Sequence, residues 1–228
     1  MYRRKFTTAL VSSAVFGALA LEAHAAISET EATSGIRAAL ERGAVAAVGL
    51  LGRSDGFMGN PKVRIPLPGF LNEAAKLLKL TGQQKRVDEL VLAMNRAAEA
   101  AVPEAKALLV SAVKSMSVSD ATRILSGGDN SVTEFFAGKT RTPLSVKFLP
   151  IVTRATEKVA LADKYNALAG KVSAMGLLKK DEANLQQYVT GKALDGLYLM
   201  IGEEEKNIRQ NPVGTGSAIL KKVFGSLQ

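Results

Sequence analysis

Residues 188–212 constrain the fold most strongly, because they join a helix that is apolar almost all round to a dense charge cluster. At about 100° per residue, the apolar side chains of this stretch cover a broad helical face. They are Val189, Ala193, Leu194, Leu197, Met200 and Ile201. A helix of this kind usually lies at the centre of a domain. We therefore predict a central helix, against which the other helices pack.

Gly191, Asp195 and Gly202 share the one narrow face of that helix that is not apolar. Because glycine has no side chain, a neighbouring backbone can approach closely there, and we expect a close helix crossing. For Asp195, the sequence favours an ordinary i,i+3 ion pair with Lys192 over a functional role.

A second apolar stripe runs through residues 86–116 and stays in phase on both sides of Pro103, which falls on the opposite face. This pattern predicts either one kinked helix or two abutting helices. A polar row borders the stripe and consists of Asp88, Asn95, Glu99 and Lys106. Such a row is more often a solvated flank than a site.

The sequence predicts a mainly α fold, an irregular multi-helix bundle with one short β-hairpin or extended arm near residues 57–68. In that segment Val63, Ile65 and Leu67 alternate with polar residues or proline, which is the pattern of a half-buried strand. Pro66 and Pro68 cannot donate ladder hydrogen bonds, so we expect an edge strand, a short hairpin or an extended arm. We expect residues 26–228 to form a single domain.

Capping signals set several helix boundaries. Ser28 precedes Glu31 by three residues, which predicts a first helix that ends near Gly52. Residues 117–120 predict a short helix that stops at residues 126–128. Thr142 followed by proline predicts the start of another helix, which Pro150 should bend.

Residues 1–25 have the composition of a cleaved signal peptide. A basic start at residues 3–5 precedes an apolar run over residues 6–21, and Ala23-His24-Ala25 fits a cleavage site. An uncleaved membrane anchor is the less favoured alternative. No later stretch reaches the roughly 18 uninterrupted apolar residues that a membrane span needs. We therefore predict export to the periplasm and no transmembrane segment in the mature chain.

Removal of the signal also removes the single histidine, and the chain contains no cysteine. Thiol catalysis, histidine acid–base chemistry and ordinary zinc sites are then excluded by residue type. The mature chain keeps 27 basic and 20 acidic residues, a net charge of +7. This balance favours an anionic envelope surface as partner. Nucleic acid is not predicted, because no basic run is interleaved with aromatic residues.

Carboxylates and amides at the edges of the apolar stripes suggest a polar ligand site, because burying them without partners is costly. The candidates are Asp55, Asn60, Asn95, Glu99, Asp195, Glu204 and Arg209. Their spacing matches no EF-hand loop, and we predict neither a metal nor another cofactor. Alternatively, the charges near residue 204 form surface ion pairs, Glu203 with Lys206 and Glu205 with Arg209.

Several segments together resemble the bacterial envelope family called domain of unknown function 4197. They are DGFMGNPKVRIPLP, MNRAAEAAVP, SDATRILSGG, TEFFAGKT and YVTGKALDGLYLMIGEEEKNIRQNP followed by LKKVFG. The resemblance covers nearly the whole mature chain, and it implies an exported, mainly helical protein without implying an activity.

We predict from these features a noncatalytic binding or scaffold protein for a hydrophobic or anionic envelope ligand or partner. The alternative is a carboxylate-dependent hydrolase that uses two acids such as Glu99 and Glu204. That chemistry needs two carboxyl groups that lie about 5 to 9.5 Å apart. It also usually needs a groove lined by aromatic side chains, of which this chain has few.

Overall fold

The computed structural model describes residues 29–71, 75, 80, 82, 84–128, 131–157, 162–163, 165–167, 169, 174 and 184–210. The prediction of a mainly α fold is confirmed for these residues, which contain six α-helices. They are α1 (Glu29–Leu51), α2 (Gln84–Ala101), α3 (Ala105–Lys114), α4 (Val118–Ser126), α5 (Ser131–Thr156) and α6 (Leu185–Gln210). Short 3-10 turns lie at Gly69–Leu71 and Val102–Glu104. No helix among the described residues is long and apolar enough to cross a bilayer. The predicted signal peptide lies outside the described residues.

Helix α6 is a core helix of the bundle, but the prediction that the other helices pack against it holds only in part, since α3 and α4 pack mainly against α1 and α5. It packs most extensively against α5 and α1 and also touches α2. All six side chains of its predicted apolar face are buried. They belong to a core that is continuous with the buried side chains of α1, α2, α3 and α5.

The apolar stripe of residues 86–116 forms two abutting helices, α2 and α3, which meet at the 3-10 turn that contains Pro103. Pro103 is tolerated at the start of this turn for two reasons. Its ring is exposed, and the first N–H groups of a helical turn have no partner within the turn, so the missing N–H of proline costs nothing. Val102 and Ala105, on either side of the turn, are both fully buried, so the stripe is continuous in space. The alternative of two abutting helices is therefore confirmed.

Helix α5 differs from its prediction, because it begins at Ser131 and runs without a break to Thr156. The predicted start at Thr142 is wrong. Both Pro143 and Pro150 are exposed, so each ring faces solvent and interrupts the hydrogen bonding on the outer side of the helix alone. A helix can continue past a proline in that position and curve around the core.

Capping chemistry is confirmed at α4. Ser117 accepts a hydrogen bond from the N–H of Asp120, and the Asp120 carboxylate accepts one from the N–H of Ser117. These bonds and the Ser117 hydroxyl lower the pKa of Asp120. Helix α1 ends at Leu51, next to the predicted Gly52, while Ser28 lies outside the described residues.

Residues 52–68, called here the connecting loop, form turns and irregular backbone, and none of the described residues is in a strand. The predicted β-hairpin is therefore wrong, although the alternation is real: Val63 and Ile65 are buried and Lys62 and Arg64 are exposed. The reason is that side chains from distant helices supply the hydrogen bonds that a second strand would supply. Tyr188, for example, donates its hydroxyl proton to the Pro66 carbonyl at 3.1 Å.

The connecting loop approaches α6 most closely at Gly196, a glycine that the prediction did not include. A Cβ on Gly196 would lie 2.8 Å from the ring of Phe57 and 3.2 Å from Val63, both in the connecting loop. A Cβ on Gly202 would lie 2.9 Å from the Thr133 hydroxyl of α5, whereas a Cβ on Gly191 would meet nothing within 4 Å. The predicted close face is therefore right at Gly202 and wrong at Gly191.

Candidate functional site

The centre of the candidate site is the Glu99 carboxylate of α2, whose side chain is 5% exposed. Its Oε1 accepts hydrogen bonds from the backbone N–H groups of Phe57 at 3.0 Å and Met58 at 3.1 Å. Its Oε2 accepts one from Arg96 at 2.7 Å. Both oxygens are therefore occupied by donors of the fold, and the charge is neutralised by a guanidinium. The prediction of a solvated flank is wrong for Glu99.

Arg96 links Glu99 to Asp55, which it contacts through its other terminal nitrogen at 2.8 Å. The hydrogen bond to Glu99 is the largest cause of a raised pKa at Arg96. The Asp55 side chain is 63% exposed, and its backbone has φ 63°, in the left-handed region that aspartate tolerates better than most residues. Arg96 and Asp55 thus hold the start of the connecting loop in a tight turn.

Asn95 holds the other end of the connecting loop. Its amide oxygen accepts from the N–H of Ile65 at 2.8 Å, and its amide nitrogen donates to the Ile65 carbonyl at 2.9 Å. The same nitrogen donates to the Val91 carbonyl of its own helix at 2.8 Å. One buried amide therefore pairs with both backbone groups of Ile65, as a neighbouring strand would. The solvated-flank prediction fails here too, whereas Asp88 and Lys106 are exposed as predicted.

Asn60 lies in the same loop but has a local role. Its side-chain oxygen accepts from the N–H of Lys62 at 3.1 Å, which closes an Asx turn. Its amide nitrogen lies 3.8 Å from the sulfur of Met200, a weak contact with α6. Lys62 in turn pairs with Glu203 of α6 and lowers the pKa of that carboxylate, to which Lys206 contributes less. The predicted Glu203–Lys206 pair is therefore secondary to one with the connecting loop.

Asp195 takes part in a separate contact, between α6 and α5. It accepts a hydrogen bond from Arg141 of α5 at 2.7 Å, so the predicted pair with Lys192 is wrong. Lys192 lies instead 5.9 Å from the ring centre of Tyr188. The Arg141 guanidinium also lies 5.2 Å from the ring centre of Tyr198. This ion pair is exposed, at 45% for the Arg141 side chain and 53% for Asp195.

Beneath that ion pair, the Tyr198 hydroxyl and the Thr140 hydroxyl share a buried hydrogen bond of 3.0 Å. Burial raises the pKa of Tyr198, because the phenolate would lose its hydration. The Thr140 hydroxyl also donates to the Phe136 carbonyl at 2.7 Å. Tyr198 is therefore a neutral, packed side chain at the contact between α5 and α6.

Glu204 and Arg209 complete the set of candidates. Glu204 lies on the side of α6 that faces α1, where its Cβ is 3.6 Å from the position that a Cβ on Gly43 would take. No contact among the described residues joins Glu204 to Glu99. Helix α6 includes Arg209, but its side chain lies outside the described part of the structure.

The structure therefore brings together Asp55, Asn95 and Glu99, and it leaves Asp195 and Glu204 apart from them. Two members of the network were missed by sequence reasoning, Arg96 and Tyr188. Arg96 had a signal, since it precedes Glu99 by three residues in a segment that carries the family resemblance. We call the contacts of Asn95, Arg96, Glu99 and Tyr188 with the connecting loop, which include the contact between Arg96 and Asp55, the loop clamp.

A surface cleft of about 370 Å³ lies between α4 and α5. It is lined by Arg123, Ser131, Glu134, Phe135, Gly138 and Lys139. Arg123 is already paired with Asp120 at 2.9 Å, and Glu134 brings a negative charge to the rim. The cleft therefore has mixed charge and suits a small polar group better than an anion. Within the described ranges, no three acidic or metal-ligating side chains form a group that could hold a metal ion.

The family described as "Protein of unknown function (DUF4197)" matches residues 26–225. No curated protein matches the chain significantly, and no solved structure does.

Proposed function

We propose that this chain, which belongs to the DUF4197 family, is an exported, noncatalytic protein of the cell envelope that binds an anionic surface. The observation that supports a noncatalytic role is the engagement of Glu99 by donors of the fold. It is the best-enclosed acid of the candidate set, and three donors of the fold already occupy its two oxygens.

A general acid or base must reach the substrate and exchange a proton with it. Glu99 has little access to a substrate, because its side chain is 5% exposed, its Oε1 accepts from two N–H groups of the connecting loop and its Oε2 accepts from Arg96. Removal of the carboxylate would leave two backbone N–H groups without an acceptor. This geometry supports a structural role for the acid.

The alternative of a two-carboxylate hydrolase finds little support in the same contacts. It needs a second acid on the other side of a bound substrate. Asp195 is paired with Arg141 of α5, and Glu204 faces α1. No observation among the described residues favours this chemistry over binding.

Charge supports the binding role. The chain without residues 1–25 carries a net charge of +7, and many of its basic side chains, such as Lys106, Lys114, Lys147 and Arg154, are exposed. A positive field of this kind attracts anionic lipid headgroups and polymers.

The family match begins at residue 26, the first residue after the predicted cleavage point, which supports export of this part of the chain.

Vesicle sedimentation tests the binding role. Purified residues 26–228 are mixed with vesicles of neutral phosphatidylcholine, or with vesicles that also contain phosphatidylglycerol. We expect binding to the anionic vesicles alone. Binding should fall steeply from about 0.01 M to about 1 M salt, as the Debye length shrinks from about 30 to about 3 Å. Absent or salt-independent binding would contradict the proposal.

Export is tested separately. The full chain is expressed in a bacterium, and the periplasmic and cytoplasmic fractions are analysed by intact-mass spectrometry. We expect the periplasmic species to begin at Ala26. A full-length chain that stays in the cytoplasm would remove the envelope from the proposal.

A further inference from the structure

We propose that the outer face of α5 is the surface through which the protein contacts anionic lipid. The inference rests on the proposed function and assigns its site. We define the outer face by the exposed residues Lys139, Thr142, Pro143, Val146, Lys147, Leu149, Pro150 and Arg154.

The outer face is apolar along its middle. At about 100° per residue, Pro143, Leu149 and Pro150 all lie within about 60° of Val146. The exposed fraction is 71% for Val146 and 37% for Leu149. These side chains are thus neighbours on one side of a single helix, and that side is turned away from the core.

The other large exposed apolar side chains of the six helices lie one on each of four helices, and Leu80, which is 84% exposed, lies outside these helices. Val45 lies on α1, Leu92 on α2, Val118 on α4 and Leu199 on α6. Scattered apolar side chains are normal on a protein surface, whereas a contiguous group often marks a contact site. The outer face of α5 therefore stands out by its clustering rather than by the exposure of one residue.

Basic residues surround this apolar strip. Lys139 lies at its N-terminal end and also lines the cleft between α4 and α5 together with Glu134. Lys147 and Arg154 lie along one flank. No ion pair to another described residue holds any of the three, in contrast to Arg141, which points away from the face and pairs with Asp195. The only acid among the described residues at the C-terminal end of the face is Glu157. An apolar strip with a cationic flank matches the interfacial region of an anionic bilayer.

The two prolines distinguish a bilayer surface from a dry protein partner. Because proline has no N–H, the carbonyls of Lys139 and Val146, four residues before Pro143 and Pro150, lack their helical donors. Burial against an apolar protein surface would leave these carbonyls unsatisfied. The headgroup layer of a membrane is hydrated and can supply water to them. The face extends over about 22 Å from Lys139 to Arg154, long enough to meet several headgroups at once.

Removal of charge tests the cationic flank. The variant Lys147→Ala/Arg154→Ala should bind phosphatidylglycerol vesicles about 30-fold more weakly than the wild type, at about fivefold per basic residue. The matched control is Lys106→Ala/Lys114→Ala, which removes the same charge from exposed positions on α3. We expect the control to lose less than about threefold, because those residues lie outside the outer face.

Introduction of charge tests the apolar strip. Val146→Asp should weaken vesicle binding by at least about tenfold, because it adds a repulsive charge and removes the apolar contact. Val118→Asp is the matched control, since it changes an exposed valine of α4 in the same way. Circular dichroism checks that both variants remain folded.

The outcomes separate this inference from the proposed function. If the wild type fails to bind, the proposed function fails and the inference fails with it. If the wild type binds but each variant loses as much affinity as its control, binding follows net charge and the outer face is not the site. If Val146→Asp converts a dimer to a monomer and leaves vesicle binding unchanged, the face joins two copies of the chain, which also overturns the inference.

Discussion

Two arginine–carboxylate pairs of this molecule have the same chemistry and different consequences. Arg96 and Glu99 meet at 2.7 Å beneath the connecting loop, and Arg141 and Asp195 meet at 2.7 Å between α5 and α6. The acid is 5% exposed in the first pair and 53% exposed in the second. Burial, rather than residue type or distance, decides what each pair contributes.

The surroundings of the two acids explain this difference. Glu99 also accepts two backbone N–H groups, so its loss would leave buried donors unpaired. Asp195 accepts from one exposed guanidinium, and water can replace that partner. The comparison therefore predicts that substitutions in the loop clamp lower the free energy of unfolding strongly and that substitutions in the Arg141–Asp195 pair lower it little.

The largest effect is expected for Glu99→Ala. We expect it to lower the free energy of unfolding by about 2 to 4 kcal/mol, because two backbone N–H groups would lose their acceptor. Urea denaturation measures the change. Glu204→Ala is the control, since Glu204 is partly exposed and has no such network, and should lose less than about 0.5 kcal/mol. Equal losses in the free energy of unfolding for the two variants would contradict the comparison.

Two glycines of α6 should respond with opposite signs. Gly196→Ala places a Cβ 2.8 Å from the buried ring of Phe57 and should cost about 1 to 3 kcal/mol, despite the better helix propensity of alanine. Gly191→Ala has nothing within 4 Å and should stabilise by about 0.5 to 1 kcal/mol. Thermal melts of both variants provide the test. A stabilising Gly196→Ala would mean that the connecting loop does not press on α6.

The stability of the protein at alkaline pH should depend on the buried hydroxyl of Tyr198, which lies next to the Arg141–Asp195 pair. Burial raises the pKa of Tyr198 above the value near 10 of the unfolded chain. Above that pH the folded state therefore holds more protons than the unfolded state, and stability falls as pH rises. At pH 7, Tyr198→Phe should cost about 1 kcal/mol through its hydrogen bond to Thr140. Denaturation from pH 8 upward should show a smaller alkaline loss for the variant, and identical pH profiles would contradict this account.

The smallest effect is expected for Asp195→Asn. The exposed pair with Arg141 is screened by solvent, so we expect a loss of at most about 0.5 kcal/mol. The loss should shrink further at high salt. Urea denaturation at low and high salt measures it. A loss comparable to that of Glu99→Ala would show that exposure does not separate the two pairs.

Sequence reasoning succeeded where a pattern is local. The phase of the stripe on both sides of Pro103 predicted one kinked helix or two abutting helices, and the second form is present. The apolar face of α6 predicted its burial. Sequence reasoning failed where the partner is distant along the chain. The alternation around Ile65 was right about burial, but the sequence carried no sign that Asn95, 30 residues away, would replace a second strand.

The candidate site was predicted in part for the same reason. Polar residues at the edge of a stripe suggested that some would be buried with partners, which holds for Asn95 and Glu99. Convergence in space depends on helix packing, which spacing along the chain does not encode. Asp195 and Glu204 were therefore grouped with residues that they do not approach.

Hydrogen exchange at the connecting loop tests the central claim, that the buried polar residues of α2 hold this loop rather than carry out chemistry. The probes are the amides of Phe57, Met58 and Ile65, which donate to Glu99 and Asn95. The reference is the amide of Lys62, an exposed residue whose N–H donates to Asn60 within the loop. We predict that the three probes are protected nearly as strongly as the core amides of α2, because they exchange only when the loop clamp opens. Exchange as fast as that of Lys62 would contradict the account.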